Sequence, residues 1–416
     1  MKRATFAVAE QGAWSLAGFA ASVVLARLLG VEDFGLFALA MVVLNGVGAL
    51  INSLVLDPAQ IVGPTRFDSD LHRYGGLLLT VSLVVGLAVC GLGLILFAAA
   101  PNPSVATIAM GLVIGLPTYV SWTARRLPYL TSEPGKALAG SIIYLAATIG
   151  GLFAWNALAS LTVNSALLIL GLAAAVQSVL VIGVWKPTWG GARDKAMSKS
   201  ARDSHWIYGR WYLAGEGSAW VLDNGFVGFS AAALGLGAAG GYRSGQVLMR
   251  PYGVVSQGLS MFFMPRYARR ATTGGIAGLV PATKRIGLVL SALAAANFAV
   301  FALLGEFVME TVFGPDFAQY AYVVVIMAGL KVVHAWIVAL SMALTAAEFP
   351  RDVFFGQLAS GITSIVAGLT LGVAFGLAGL LAAMWIATIA RGVVLYGFFR
   401  LRLNQPPEPN TIKPTS

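Results

Sequence analysis

The chain has 416 residues, of which 58% are hydrophobic and only 11% are charged. A water-soluble domain carries about 25% charged residues, so this composition excludes a soluble globular protein, which could not cover its surface with polar groups. The formal net charge of +10 is typical of nucleic-acid-binding proteins, but the basic residues cluster in alternate connections between apolar segments, which argues against that class.

Apolar segments of helical length recur along the whole chain, and each is long enough to cross a hydrocarbon core about 30 Å thick. They are unbroken and lack the short alternating pattern of a membrane β-barrel, so the fold class predicted is an all-α integral membrane bundle. Twelve transmembrane helices are predicted, at 5–28, 34–57, 75–99, 104–122, 137–156, 161–185, 208–235, 241–263, 285–305, 320–346, 353–374 and 377–399.

The first window resembles a secretory signal, but Glu10 and Gln11 interrupt its apolar run, so we predict a membrane helix there. The single cysteine, Cys90, excludes a disulfide framework and offers no metal-ligand spacing. No metal site and no cofactor are therefore predicted.

Basic residues fall in every second connection. The connections rich in Lys and Arg contain Lys2, Arg3, Arg66, Arg73, Arg125, Arg126, Lys136, Lys186, Arg193, Lys195, Lys199, Arg202, Arg210, Arg266, Arg269, Arg270, Lys284, Arg285, Arg351, Arg400, Arg402 and Lys413. The opposite connections hold only Arg27 and an acidic stretch with Glu306, Glu310 and Asp316. Because Lys and Arg mark cytoplasmic loops, both termini are predicted to be cytoplasmic, in agreement with an even number of spans.

A short pattern occurs twice in the chain, as EQGAWSL at 10–16 and EGSAWVL at 216–222. Six residues align without gaps at this interval, namely Glu10, Ala13, Trp14, Leu16, Leu28 and Gly35 with Glu216, Ala219, Trp220, Leu222, Leu234 and Gly241. Each half has six predicted helices, so the repeat predicts two six-helix bundles related by a pseudo-two-fold axis along the membrane normal.

The predicted domains follow from this repeat. Residues 1–190 form the N-terminal bundle, 191–207 a cytoplasmic linker, 208–403 the C-terminal bundle and 404–416 a Pro-rich, disordered cytoplasmic tail. The polar stretch from 186 to 207 is predicted to lie on the inner leaflet, with Trp185, Trp189 and Trp206 at the interface.

Ionisable residues within membrane spans cost about 2.5–3.5 kcal/mol each at the helix centre, which makes them candidates for function. The candidate cations all lie in the second half: Arg243, Arg250, Lys331 and Arg391. If they face a shared cavity, that cavity is net cationic and suits an anionic ligand such as a phosphate or diphosphate. For Arg391, snorkelling toward the interface is the alternative.

Three carboxylates are candidates for ion coupling or ion pairing: Glu10, Glu216 and Asp223. Glu10 and Glu216 are predicted near the cytoplasmic mouth, where a hydrogen-bonded helix end is the alternative to a lumen role. Asp223 shares a helix face with Glu216 and is predicted at the depth of Arg250, with which it should interact. A pair that only fixes helix packing is the alternative there.

His334 shares a helix face with Lys331 and is a candidate proton relay, although a satisfied polar residue is the more ordinary interpretation. Pro251 directly follows Arg250 and is predicted to kink the eighth helix, and Pro117 is the corresponding candidate in the fourth. A kinked helix beside charges usually faces a watery cavity, because lipid cannot satisfy the freed carbonyl.

Several stretches resemble one family. LARLLGVEDFGLFALAMVV at 25–43 is similar to the first helical hairpin of the polysaccharide flippases of the multidrug/oligosaccharidyl-lipid/polysaccharide exporter superfamily. The segment 222–269, the outer loop METVFGPDFAQYA at 309–321 and the turn FGLAGLLAA also resemble the corresponding parts of that family. These motifs are glycine and hydrophobic patterns, and together the resemblance covers essentially the whole chain.

The resemblance implies two six-helix bundles in a V around a central cavity with a cationic lumen. It implies that the protein flips an undecaprenyl-diphosphate-linked oligosaccharide to the periplasmic leaflet of a bacterial inner membrane, for lipopolysaccharide or exopolysaccharide biosynthesis, beside a polysaccharide polymerase and export machinery. Arg250 and Lys331 would bind the diphosphate. The chain departs from this expectation in one respect, because its first half shows no deep lumen cation apart from Arg27 near the outer face.

Two other functions compete with a flippase. A multidrug or cation antiporter of the same superfamily would need an acidic cavity, and the count of charges points the other way. An integral membrane polysaccharide polymerase or ligase could use Glu32 and Asp33, but their loop is too short to fold over a sugar. Because no glycine-rich phosphate loop, nucleophile elbow or metal spacing occurs, we predict that the chain is not an enzyme.

Overall fold

The structure is a computed structural model that describes residues 2–347 and 349–403. Side chains are described throughout these ranges except at 2–4, 211, 214–219, 221–223, 261–262, 265, 268 and 272–273. The described chain is helical with short connections. Its α-helices are α1 (Lys2–Ile51), α2 (Asp57–Arg66), α3 (Leu71–Ala98), α4 (Pro103–Val113), α5 (Gly115–Leu130), α6 (Pro134–Leu158), α7 (Val163–Trp185), α8 (Lys195–Leu234), α9 (Leu236–Phe313), α10 (Ala321–Ala346) and α11 (Pro350–Arg402).

Three long helices bend sharply at glycines. The bends lie at Gly30 in α1 (φ 77), Gly275 in α9 (φ 55) and Gly376 in α11 (φ 61), and Gly235 (φ 93) separates α8 from α9. A positive φ is readily adopted only by glycine, which is why the direction of the chain changes at these residues. The bends at Gly30 and Gly376 and the break at Gly235 fall where the sequence predicted outer turns.

The bends resolve the helices into membrane crossings. By length and composition, eight helical stretches of the described chain are able to span a membrane. Two of them, Thr5–Arg66 and Pro350–Arg402, are far longer than the roughly 20 residues that one crossing needs, and each is divided by its glycine bend. Together with α8 and the part of α9 before Gly275, these segments correspond to the twelve helices that the sequence predicted, and the described chain confirms the predicted all-α fold.

The chain divides into two compact units. The first comprises residues 1–240 with Val312–Gly314, and the second comprises Gly241–Thr311 with Pro315–Ser416. Helix α8 therefore lies in the first unit, although the sequence assigned its apolar part to the C-terminal bundle. The functional division at residue 208 stays a prediction.

The first unit is held together by close helix contacts and buried hydroxyl bonds. The Ser82 and Thr123 hydroxyls of α3 and α5 lie 2.6 Å apart, and Ser121 donates to Gln177 Oε1 of α7 at 2.5 Å. The helices approach closely at Gly35, since a Cβ atom added there would lie 2.0 Å from the main-chain oxygen of Leu236. Small residues and interhelical hydrogen bonds are the usual means of packing membrane helices, because lipid supplies no hydrophobic force between them.

In the second unit, α9, α10 and α11 pack in the same way. A Cβ at Gly287 would lie 2.7 Å from the ring of Trp336, and one at Gly356 would lie 2.8 Å from Leu395. At the start of α11, Asp352 accepts two hydrogen bonds from Arg402, at 2.9 and 3.4 Å. The repeated glycines of the sequence, Gly35 and Gly241, both lie at such contacts, Gly241 against Tyr320.

Candidate functional site

The four candidate cations lie on helices of the second unit, and each is partly exposed. Arg243 and Arg250 are on α9, Lys331 is on α10 and Arg391 is on α11. Lys331 lies ten residues from the start of α10, which corresponds to a depth of about 15 Å at 1.5 Å per residue. That depth is close to the middle of a hydrocarbon core about 30 Å thick.

Three of the ionisable candidates lie close together. His334 is within electrostatic range of both Lys331 and Arg391, and it shares a face of α10 with Lys331. Helices α10 and α11 approach closely at this level, since a Cβ at Gly392 would lie 3.6 Å from the Ile337 side chain. The second unit thus places two basic side chains near one imidazole.

The segment of α9 that contains Arg250 runs beside α10. Tyr252 donates a hydrogen bond to the main-chain oxygen of Lys331 at 3.5 Å. Arg243, seven residues before Arg250, donates from Nη1 to Gln246 Oε1 at 2.9 Å. The Tyr252 contact places this part of α9 beside α10 near Lys331, and the proximity of the Arg250 and Lys331 side chains stays a prediction.

Acidic residues are distributed very differently from the cations. The sequence contains no Asp or Glu at 241–305, at 317–347 or at 353–403. Among the described residues of the second unit, the acidic ones are Glu306, Glu310, Asp316 and Asp352, and Asp352 binds Arg402. The interior segments of this unit thus contain basic residues and no acidic residue.

The first unit contains a buried polar cluster around Glu10. Its carboxylate accepts hydrogen bonds from Arg125 Nη1 at 2.9 Å, from the Tyr129 hydroxyl at 2.6 Å and from the Ser141 hydroxyl at 2.7 Å. The side chain of Glu10 is 2% exposed and that of Arg125 is 14% exposed. The guanidinium also lies over the Trp14 ring, 4.4 Å from its centroid. The carboxylate is thus held by charge and hydrogen bonds from two other helices.

This cluster corrects one expectation. The sequence placed Arg125 in a cytoplasmic connection, whereas the structure places it inside α5, paired with Glu10. The buried residues Ala124, Leu127 and Leu130 continue the helical pattern beyond the predicted end at 122. The spacing of these apolar residues in the sequence could have indicated the longer helix. The hydropathy window ended too early because Arg125 and Arg126 interrupt the apolar run.

Other candidate residues fall on parts that the structure does not describe. The side chains of Glu216 and Asp223 are outside the described residues, so the predicted interaction of Asp223 with Arg250 stays a prediction.

Arg27 donates from Nε to the main-chain oxygen of Val312 at 2.8 Å, in the first unit.

The two candidate kink prolines lie in different settings. Pro117 lies in the first turn of α5, just after the break at Ile114 that separates α4 from α5. Helix α9 keeps helical backbone angles through Pro251, and its one sharp break is at Gly275. A role for Pro251 as a kink or hinge stays a prediction.

The linker tryptophans differ from one another. Trp189 and Trp206 are each 58% exposed, as expected at an interface. Trp185 is 1% exposed instead, and its indole stacks on His72 and donates to Thr131 at 3.0 Å. The interfacial prediction for Trp185 is wrong, because the end of α7 is covered by the start of α3.

The fold is shared with solved transporters of one superfamily. An inward-facing multidrug resistance MATE family transporter of the MOP superfamily is similar over 95% of this chain and 98% of its own, with a TM-score of 0.76 and 13% identity. The lipid II flippase MurJ in an inward closed conformation is similar over 95% and 87%, with a TM-score of 0.70 and 14% identity.

A third neighbour is a MOP superfamily transporter from Pyrococcus furiosus, for which a reverse polarity of the binding pocket suggests a different function. It is similar over 96% of this chain and 94% of its own, with a TM-score of 0.63 and 12% identity. No family model and no curated protein matches the chain by sequence. At these identities the likeness establishes the fold: the chain has the twelve-helix, two-bundle fold of MOP superfamily transporters.

Proposed function

We propose that this protein is a membrane transporter that flips an undecaprenyl-diphosphate-linked oligosaccharide from the cytoplasmic to the periplasmic leaflet of a bacterial inner membrane. The product would feed cell-surface polysaccharide biosynthesis, with a polysaccharide polymerase and export machinery downstream. The observation that carries the proposal is the set of intramembrane cations of the second unit, in a sequence whose interior segments there lack any carboxylate.

A diphosphate is the chemical group that this set of cations suits. Arg presents two parallel N–H donors to phosphate oxygens and Lys acts as a point charge, so Arg250 and Lys331 are the proposed diphosphate ligands. Arg243 and Arg391 would add to the positive potential along the substrate path. The fold shared with a lipid II flippase supports a lipid-linked substrate.

Transport would proceed by alternating access. The substrate must bind the inward and outward conformations with different affinity, since a ligand shifts an equilibrium only by its differential affinity. Glu10, Glu216 and Asp223 are the proposed coupling carboxylates and His334 the proposed proton relay. The three hydrogen bonds that Glu10 accepts make it a group whose protonation would disturb packing in the first unit.

A multidrug antiporter is the second candidate function, because a MATE transporter shares the fold with a TM-score of 0.76. A cationic drug would need a carboxylate to offset its charge in the low-dielectric interior. The interior segments of the second unit supply none. The cation set therefore supports an anionic substrate over a cationic one.

The test is made in a bacterial host whose surface-polymer export depends on this chain, with Arg250→Ala and Lys331→Ala made singly. Each change should reduce export by about tenfold, the effect of losing one charge-assisted hydrogen bond, and lipid-linked intermediate should accumulate on the cytoplasmic side. Arg250→Lys keeps the charge and should retain more activity than Arg250→Ala. Lys284→Ala, which removes an exposed cation from the same helix, is the matched control.

Equal protein levels in the membrane must accompany these measurements. Export at the wild-type rate in both alanine variants would remove the proposed diphosphate ligands and, with them, the main support for this substrate.

A further inference from the structure

A cavity of about 870 Å³ lies in the first unit beside the start of α8, outside the cation set described above. Its walls come from the π-helical turn Asn52–Leu56, from α3 and from α8. The volume is within the roughly 300–1,000 Å³ typical of ligand pockets. The cavity is large enough for a ligand, and the chemistry of its walls indicates which kind.

The interior walls are apolar. Leu77 and Leu78 of α3 are 6% and 3% exposed, and Val81 continues the same wall one turn further along the helix. Leu54 and Val55 form the opposite side. A hydrocarbon chain is the group that such a surface accepts without loss of hydrogen bonds.

The α8 wall has one polar edge. Ser198, Ala201, Arg202 and His205 all line the cavity, and their spacing of three, four and seven residues places them on one face of the helix. Ala201 is 6% exposed, whereas the side chain of Arg202 is 76% exposed. The face therefore passes from an apolar interior to a charged edge, where Asp203 also lines the cavity and pairs with Arg202 at 3.4 Å.

The histidine in this wall has both ring nitrogens engaged by the protein. His205 Nδ1 lies 3.0 Å from the main-chain oxygen of Leu54, and Nε2 bonds to the Tyr74 hydroxyl. π-helical turns are frequent at functional sites, and here one places its Leu54 carbonyl against the imidazole. A ligand in the cavity would thus meet an apolar floor and find its polar partners at the rim.

The segment of chain that runs beside the cavity is rich in basic residues. The segment from 186 to 210 contains six basic residues against two aspartates. One of those aspartates, Asp194, caps the N-terminus of α8 through the Ala196 and Met197 amides and pairs with Arg73 at 3.1 Å. These amide bonds and Arg73 hold the pKa of Asp194 below its usual value, so it stays ionised within the structure. Trp206 is exposed on the same rim.

We propose that this cavity binds an anionic phospholipid of the leaflet that contacts the start of α8, with an acyl chain against Leu77, Leu78 and Val81 and the headgroup phosphate at Arg202. Basic residues and tryptophan on an interfacial helix are the features that recognise anionic lipid headgroups. The bound lipid would connect the linker helix to the body of the first unit. The proposal does not depend on the identity of the transported substrate.

The test uses the purified full-length protein in detergent and native mass spectrometry with phosphatidylglycerol and phosphatidylcholine of identical acyl chains. Wild-type protein should retain phosphatidylglycerol preferentially. Arg202→Gln should weaken its apparent affinity about fivefold, the effect of one cation near anionic lipid. Val81→Phe should fill the cavity and lower retention further. The matched controls are Val84→Phe, on an exposed face of α3, and Lys284→Gln, in the second unit.

Three results would overturn the proposal. Equal retention of the two lipids would remove the role of charge. Equal loss in Val84→Phe and Val81→Phe would place the lipid outside the cavity. Displacement of phosphatidylglycerol from wild-type protein by an equimolar polyisoprenyl diphosphate, with the diphosphate itself no longer retained by Val81→Phe, would assign the cavity to the tail of a transported lipid.

Discussion

The buried carboxylate of Glu10 supports a quantitative prediction about the first unit. Glu10→Ala removes the acceptor of three hydrogen bonds and leaves the guanidinium of Arg125, 14% exposed, without its carboxylate. Breaking a buried ion pair by removing one partner costs about 3–5 kcal/mol, because the remaining charge stays desolvated. We expect the free energy of unfolding to fall by about 4 kcal/mol.

The same geometry predicts strong coupling between the two residues. Arg125→Leu should be destabilising for the corresponding reason, since the Glu10 side chain is only 2% exposed. The double variant Glu10→Ala/Arg125→Leu removes both charges and should be less destabilised than the sum of the single variants. Neighbours that share one network show coupling energies of about 0.5–3 kcal/mol, and this pair should lie at the upper end.

The measurement is a double-mutant cycle on protein in mixed micelles, unfolded by a rising fraction of denaturing detergent. Unfolding is followed by tryptophan fluorescence, to which Trp14 contributes from within the cluster, since it lies under the guanidinium and stacks on Tyr144. If the two single effects add in the double variant to within about 0.5 kcal/mol, the residues are independent and the reasoning is wrong.

Three further predictions concern stability. Gly35→Ala should destabilise the first unit by about 1–3 kcal/mol, because its Cβ would lie 2.0 Å from the main-chain oxygen of Leu236. Burial lowers the pKa of His205, so the unfolded state binds more protons below its ordinary pKa of about 6.5, and stability should fall as pH is lowered through that value. Asp352→Ala should cost about 1.5–3 kcal/mol, measured by the same detergent unfolding, because it removes both hydrogen bonds from Arg402.

Each of these has a matched control. A Cβ at Gly12 would meet nothing within 4 Å, so Gly12→Ala should be close to neutral, and an equal loss at both glycines would contradict the packing argument. His205→Gln should flatten the pH dependence between pH 7.5 and 5.5, and an unchanged slope would assign it to another group. Asp352→Asn keeps the shape and one acceptor, and it should be less damaging than alanine.

The sequence predicted the fold because its dominant signals are local. Apolar windows gave the twelve spans, and the glycines at Gly30, Gly235 and Gly376 lie at predicted outer turns, where a positive φ is needed. Arg125 was misplaced because a hydropathy window ends at a charge, whether or not the helix continues. Its partner Glu10 is 115 residues away, and no local pattern indicates which of several charged residues a helix will meet.

For the candidate site too, local sequence patterns do not show which distant helices pack together. Lys331 and His334 could be paired from their spacing on one helix, whereas the approach of Arg391 depends on how α10 packs against α11. Trp185 was assigned to the interface by its position at a helix end, and only the packing of His72 against it shows that it is buried. The cavity beside α8 likewise depends on helices distant in sequence.

The central claim is that intramembrane cations of the second unit bind the anionic group of a transported lipid. The most direct test reconstitutes wild-type protein, Arg250→Ala and Lys331→Ala in liposomes with a fluorescent undecaprenyl-diphosphate-linked oligosaccharide, and measures its translocation beside uptake of a cationic dye. We predict that wild-type protein translocates the lipid and not the dye, and that each variant loses about tenfold in rate. Dye uptake without lipid translocation, or translocation that is unchanged in both variants, would contradict the account.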